Sequence, residues 1–255
     1  VTPTQGGGFG LFTEELRVPA LFRDAARVCG TLVLLALAGC GLTDKKAPPP
    51  PVEVAISSPY PGVHTLAIAP TINLSGSRDF DPLVVSDTLF GEMGQVPGLN
   101  VLPLNKTLLA MQRLGVRTID DPKVAQRLAS MLNADGLVIP AVTAYDPYNP
   151  PNVGMILQMY TPASGRPTAV AARPNTSTSA EDYIGQPVSQ VNGVFNATNQ
   201  SVLHELRTYA AGRTEYDSAL QEKKFLVNAD LYMRFVCHAM VRRLMEVESS
   251  RAPDR

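Results

Sequence analysis

Residues 121–145 read DPKVAQRLASMLNADGLVIPAVTAY, and this stretch decides the fold. Asp121 can cap a helix, and Pro122 suits the first helical position, where no backbone donor is needed. Val124, Leu128, Met131 and Leu132 follow at i, i+4, i+7 and i+8, the spacing of a core-facing helix stripe. Asn133-Ala134-Asp135-Gly136 is a turn, and residues 137–145 (LVIPAVTAY) form the clearest strand in the chain. Pro140 predicts a bulge or an edge position there, because proline cannot donate to a strand ladder.

The same pattern extends in both directions. Upstream, VHTLAIAP from Val63 predicts a strand ended by Pro70, followed by a polar loop over 73–80. Asp81-Pro82 repeats the cap-plus-proline signal ahead of Val85, Leu89 and Met93. Residues 94–100 turn the chain into a short strand over 101–104; Asn105 can then cap a helix with Leu108, Met111 and Leu114 on one face, stopped by Gly115. Downstream, strands are expected over 154–160 and 188–195, the second antiparallel to the first. Asn199 can cap a helix carrying Val202, Leu203, Leu206 and Ala210 that ends at Gly212. After a charged connection over 214–224, Asn228 opens a last helix with Val236, Met240 and Leu244 at four-residue spacing, widened by Leu231 and Phe235. Arg242 and Arg243 near its end favour the helix dipole. Strands alternating with amphipathic helices imply an α/β three-layer sandwich, with a mostly parallel or mixed sheet of about five strands flanked by helices. The domain is expected over 62–248. A flexible insert rich in Pro, Ser and Thr occupies 161–187, and a disordered tail 249–255.

The N-terminal region carries an address. Arg23 and Arg27 precede an uncharged apolar run, residues 28–38, too short to span a bilayer. It can be read as a core helix or as the hydrophobic region of a signal peptide. Leu37-Ala38-Gly39-Cys40 resembles the lipobox of bacterial lipoprotein precursors, and the polar, proline-rich GLTDKKAPPPP after it suits a stalk better than a core. The resemblance implies a signal peptide over 1–39, of which 1–20 fit poorly, and acyl chains on Cys40. It further implies a lipidated linker over 40–61, and Gly41 points to the periplasmic side of the outer membrane. Two or three chains make a firm anchor at about 0.8 kcal/mol per buried methylene.

Removing residues 1–39 takes away Arg17, Arg23 and Arg27 together with Glu14, Glu15 and Asp24, so the formal net charge of −1 is unchanged. That balance offers no cationic footprint for nucleic acid. With Cys29 and Cys40 accounted for, Cys237 has no partner for a disulfide, and it sits in an apolar helical stretch as a small buried hydrophobe. His64, His204 and His238 are far apart and lack ligand spacing, so neither a metal nor a cofactor is expected.

Residues 63–145 are similar to the periplasmic domains of curli-secretion-channel lipoproteins and of lipoproteins that activate penicillin-binding proteins. The likeness rests on Gly98-Leu99-Asn100-Val101-Leu102, Arg127-Leu128-Ala129, Asn133-Ala134-Asp135-Gly136-Leu137-Val138 and Val142-Thr143-Ala144-Tyr145. It implies a lipid-anchored domain that works by contact with an unidentified envelope protein of an export or cell-wall complex, not by catalysis. The insert lacks the alternation of a membrane hairpin, so pore formation is not expected. Homo-oligomers are compatible with the resemblance; a ring or channel subunit would show an exposed apolar face on the first or last helix. Ligand or partner contacts are expected in the loops after the strands, 71–81 and 146–152, with Arg78, Asp79, Tyr145 and Tyr148 as candidates. The competing reading is an envelope hydrolase built on Ser75 or Ser77, although no nucleophile elbow or phosphate loop occurs. Glu215 and Asp217 form the nearest carboxylate pair and read as solvent-facing.

Overall fold

The computed structural model describes residues 55–162, 186–211, 213, 220 and 222–251. Cys40, the signal segment, most of the linker, the bulk of the 161–187 insert, Gly212, Glu215 and Asp217 lie outside the described residues. Six strands, β1 (His64–Ile68), β2 (Ile72–Asn73), β3 (Leu99–Leu102), β4 (Gly136–Asp146), β5 (Asn152–Tyr160) and β6 (Ser189–Asn196), make one sheet of order β3-β1-β4-β5-β6, with β2 added alongside β4. Pairing is parallel among β1, β2, β3 and β4 and antiparallel for β4–β5 and β5–β6. The helices are α1 (Pro82–Met93), α2 (Leu104–Leu114), α3 (Pro122–Met131), α4 (Gln200–Ala211), α5 (Lys223–Val227) and α6 (Ala229–Arg251). The result is the expected α/β three-layer sandwich with a mixed sheet.

Alternation along the strands builds the two cores. Leu66, Ile68, Val138, Val142, Met155, Leu157, Val191 and Phe195 face α1, α4, α5 and α6. Ala67, Ala69, Leu137, Ile139 and Tyr160 face α2 and α3, where Ala110, Met111, Ala125 and Leu128 meet them. Cys237 is fully buried in the larger core, where burial raises its thiol pKa. One polar bridge crosses that core: His238 Nδ1 lies 3.2 Å from Glu92 Oε2, and Arg242 lies 3.2 Å from His238 Nε2. A guanidinium only donates, so Nε2 accepts and Nδ1 carries the proton given to Glu92.

Caps fall where the sequence put them. Asp81 accepts from the Leu83 amide and Asp121 from the Lys123 amide, each at 2.8 Å; Asn199 and Asn228 cap α4 and α6. Gly115 takes φ 68°, a left-handed helix end. Four expectations are corrected. Pro103 stops the third strand at Leu102, so α2 begins at once with Pro103 in the cap position, and Asn105 lies inside the first turn. Pro140 sits in a central strand, neither on an edge nor at the bulge, which falls between Val142 and Ala144. Its missing donor is harmless. The Val138 and Val142 carbonyls accept from Ala69 and Leu74, so the Pro140 nitrogen faces the break between β1 and β2. Met131 is exposed, because α3 turns Ala125, Leu128 and Ala129 to the core.

The fourth correction concerns the ends. Helix α6 continues through Arg251, and residues 55–61 of the presumed linker pack on the body: Ile56 lies against the larger core and the Ser58 amide donates to Pro97 at 3.3 Å. Glu248 holds both ends in place, fully buried among Tyr60, Ser189 and Arg251. Burial pushes its carboxyl pKa up, but hydrogen bonds from Arg251, Ser189 and Tyr60 outweigh that and hold it below the ordinary carboxylate value. A carboxylate with a depressed folded pKa contributes stability above its unfolded pKa and loses it as pH falls through the folded one. Stability should therefore decline below about pH 4.5, and Glu248→Gln should flatten that acid limb in denaturant titrations run at a series of pH values. A Cβ on Gly193 would lie 2.6 Å from Phe195 and 2.7 Å from Arg243. Gly193→Ala should accordingly lower the unfolding free energy by about 1–3 kcal/mol, read from the denaturant midpoint.

Candidate functional site: a crevice at the carboxyl ends of β1 and β3

Topology selects the site. β1 and β3 are parallel neighbours, yet α1, which follows β1 and β2, packs on one face of the sheet, and α2, which follows β3, packs on the other. The two helices diverge from adjacent strand ends, the arrangement that leaves a crevice outside the carboxyl edge of an α/β sheet. Leu83, Val84 and Asp87 of α1 and Leu104, Asn105 and Leu108 of α2 line a shallow groove of about 280 Å³ there. Leu83 is 43% exposed, Val84 54% and Leu108 37%, and the neighbouring Leu109 is 47% exposed. Together these side chains give the crevice an exposed apolar lining from two helices.

The loop over 71–81 leads into α1, one wall of this crevice, and is internally braced. Thr71 and Ser86, both buried, tie its base to α1: the Thr71 amide donates to Ser86 Oγ at 2.7 Å, and the two hydroxyls lie 2.8 Å apart. Asn73 accepts from the Ser75 amide and hydroxyl, and its own amide donates to the Ser77 carbonyl at 2.7 Å. Ser77 Oγ donates to Asp79 at 3.2 Å. The serines are thus partnered by Asn73 and Asp79. The imidazoles are elsewhere: His64 at the opposite end of β1, His204 exposed on α4, and His238 against Glu92.

The four predicted contact residues separate into two groups. Asp79 adjoins Phe80 in the chain, and its charge is felt at Tyr145. Tyr145 lies against Phe80, ring centroids 4.7 Å apart, and its phenol pKa is raised by burial first and by Asp230 and Asp79 second. Arg78 is exposed on the loop, and Tyr148, 75% exposed, stands away on the β4–β5 connection, its amide bonded to Asp146. Leu83, Val84 and Leu104 escaped the sequence reading as contact residues, and Leu108, expected on one apolar face with Met111 and Leu114, is turned out into the crevice while Met111 is buried. The signal was present in Leu83-Val84-Val85: three apolar residues in a row on a helix cannot all face one core, and only Val85 is buried.

Among the described residues, no group of three or more His, Cys, Asp or Glu side chains could hold a metal ion, and no helix is long and apolar enough to cross a membrane.

No protein-family description and no curated protein matches the chain. Solved structures similar to it include the lipoprotein GNA1162 from Neisseria meningitidis, at 12% identity and TM-score 0.36, covering 58% of this chain and 94% of that one. The LpoB C-terminal domain from Salmonella enterica is similar at 11% identity and TM-score 0.37, covering 57% and 87%. The PelC dodecamer from Paraburkholderia phytofirmans is similar at 10% identity and TM-score 0.35, covering 78% and 95%.

If the crevice residues serve contact and not stability, Val84→Asp should leave the unfolding free energy within about 0.5 kcal/mol of the parent. The adjacent Val85→Asp places a charge in the core and should prevent folding or lower the thermal midpoint severely. Thermal scans of the two variants check both statements.

Proposed function

We propose that this chain is an envelope lipoprotein, held on the periplasmic side of the outer membrane by acyl chains on Cys40, whose body docks another envelope protein. Its role is that of a non-catalytic assembly or accessory factor for an export or cell-wall complex. The observation that carries the reading is the solvent-facing apolar lining of the α1–α2 crevice, Leu83, Val84 and Leu108. Burying such side chains against a partner is favourable by about 25 cal/mol per Å² of apolar surface. Catalysis would need a nucleophile beside its base, and the loop serines instead spend their hydrogen bonds on Asn73 and Asp79.

Two measurements test the reading. Cys40→Ser should move the protein from the membrane fraction to the soluble periplasmic fraction, and retention in the membrane would refute the anchor. A photoreactive side chain at Leu108 should cross-link an envelope protein in living cells, and Val84→Asp should abolish the adduct. Absence of any adduct at Leu108 refutes docking at the crevice. A second reading, self-association, is favoured by the exposed Leu83 and Val84 on the first helix. It predicts an adduct between two copies of the chain and a sedimentation coefficient above that of a monomer.

A further inference from the structure

The lead segment over 55–62, ahead of the first strand, is fastened at one buried carboxylate. Residues 55–63 enter no strand pairing; the sheet begins at His64, whose amide donates to the Gly98 carbonyl at 2.9 Å. What holds the lead is Tyr60. Its hydroxyl donates to Glu248 Oε2 at 2.6 Å and lies 3.9 Å from Met159 Sδ, while its ring stacks on His64 at 3.7 Å. Besides that there are the Ser58–Pro97 backbone bond and the half-buried Ile56. The Glu248 carboxylate has further donors from the body itself: the Ser189 hydroxyl at the start of β6, and the Arg251 guanidinium, which reaches both oxygens. The charged or titratable groups around the latch are Tyr60, His64, Asp135, Glu248 and Arg251.

This division of donors gives the latch its property. When Tyr60 leaves, Glu248 keeps its countercharge in Arg251 and its hydrogen bond from Ser189, so no buried charge is orphaned and the core has no reason to open. Local opening is governed by the few contacts that the moving segment itself makes. We propose that residues 55–62 are a strap that unlatches from Glu248 while the sheet stays closed.

The test uses the full chain and hydrogen exchange. Tyr60→Phe deletes the latch bond and leaves Glu248 paired, so the Ser58 and Tyr60 amides, which donate to the Pro97 carbonyl and to Ser58 Oγ, should exchange about tenfold faster, the loss of a hydrogen bond to a charged group. Exchange in β4 over 137–142 should be unchanged. Faster exchange in both regions would mean that the strap is an inseparable part of the sheet, and no change in either would mean that Tyr60 holds nothing; both results overturn the proposal. Glu248→Gln, which keeps the shape, provides a second variant and should loosen 56–62 ahead of β4.

Discussion

Everything in this domain is arranged around the double pairing of β4. Residues 136–142 are buried throughout, with hydrogen-bonded neighbours on both edges: β1 and then β2 run parallel on one side, and β5 runs antiparallel on the other. A strand so enclosed must be apolar on both faces. Val138 and Val142 enter the core under α1 and α6, and Leu137 and Ile139 enter the core under α2 and α3. Each such side chain contributes about 1.5–3 kcal/mol on burial, so one strand nucleates two layers. Its claim on one edge of β1 leaves the other edge to β3, and that adjacency makes α1 and α2 part on opposite faces.

Features set by local chemistry were legible in the sequence, and those set by distant partners were not. The Asp81-Pro82 and Asp121-Pro122 starts, the Gly115 stop and the apolar run into β4 each declare themselves within a few residues, because a cap or a period involves only near neighbours. The two residues of β2 do not: Ile72 and Asn73 are a strand only because Ala141 and Val142 lie beside them. Glu248 reads as one more charged residue near a helix end until Tyr60 and Ser189, far off in sequence, are placed against it. Pro140 misleads for the same reason. The sequence suggests a bulge or an edge at the proline itself, while in space the bulge lies further on, between Val142 and Ala144, and the proline nitrogen faces the gap between β1 and β2.

Part of the candidate site was legible. General topology pointed to the loops at the carboxyl ends of the strands, and the 71–81 loop leads into α1, one wall of the crevice, while Phe80, beside Asp79, packs on Tyr145. Arg78 and Tyr148 were chosen for chemistry suited to interfaces, and nothing in their local sequence could say that they would stand apart. The apolar lining was missed because a hydrophobic residue is by default assigned to the interior. Only the excess of such residues on one short helix, more than its buried face can hold, signals that some belong outside. Recognising a crevice further requires knowing which strands are neighbours, and that is decided by residues about 35 positions apart, as in the pairing of His64 with Leu99.

The interlock of the two ends carries a consequence for how the chain comes into being. Helix α1, near the beginning of the domain, completes its core only against α6, the last element, and the strap waits for Glu248. Contacts so distant along the chain form slowly, since the intervening loop must first be closed. Until residues 229–251 have been made, the first helix can lie on the sheet but cannot complete its core. A chain cut short of residues 229–251 would leave the inner face of α1 and one face of the sheet bare, so the larger core closes as a unit and not piece by piece along the sequence.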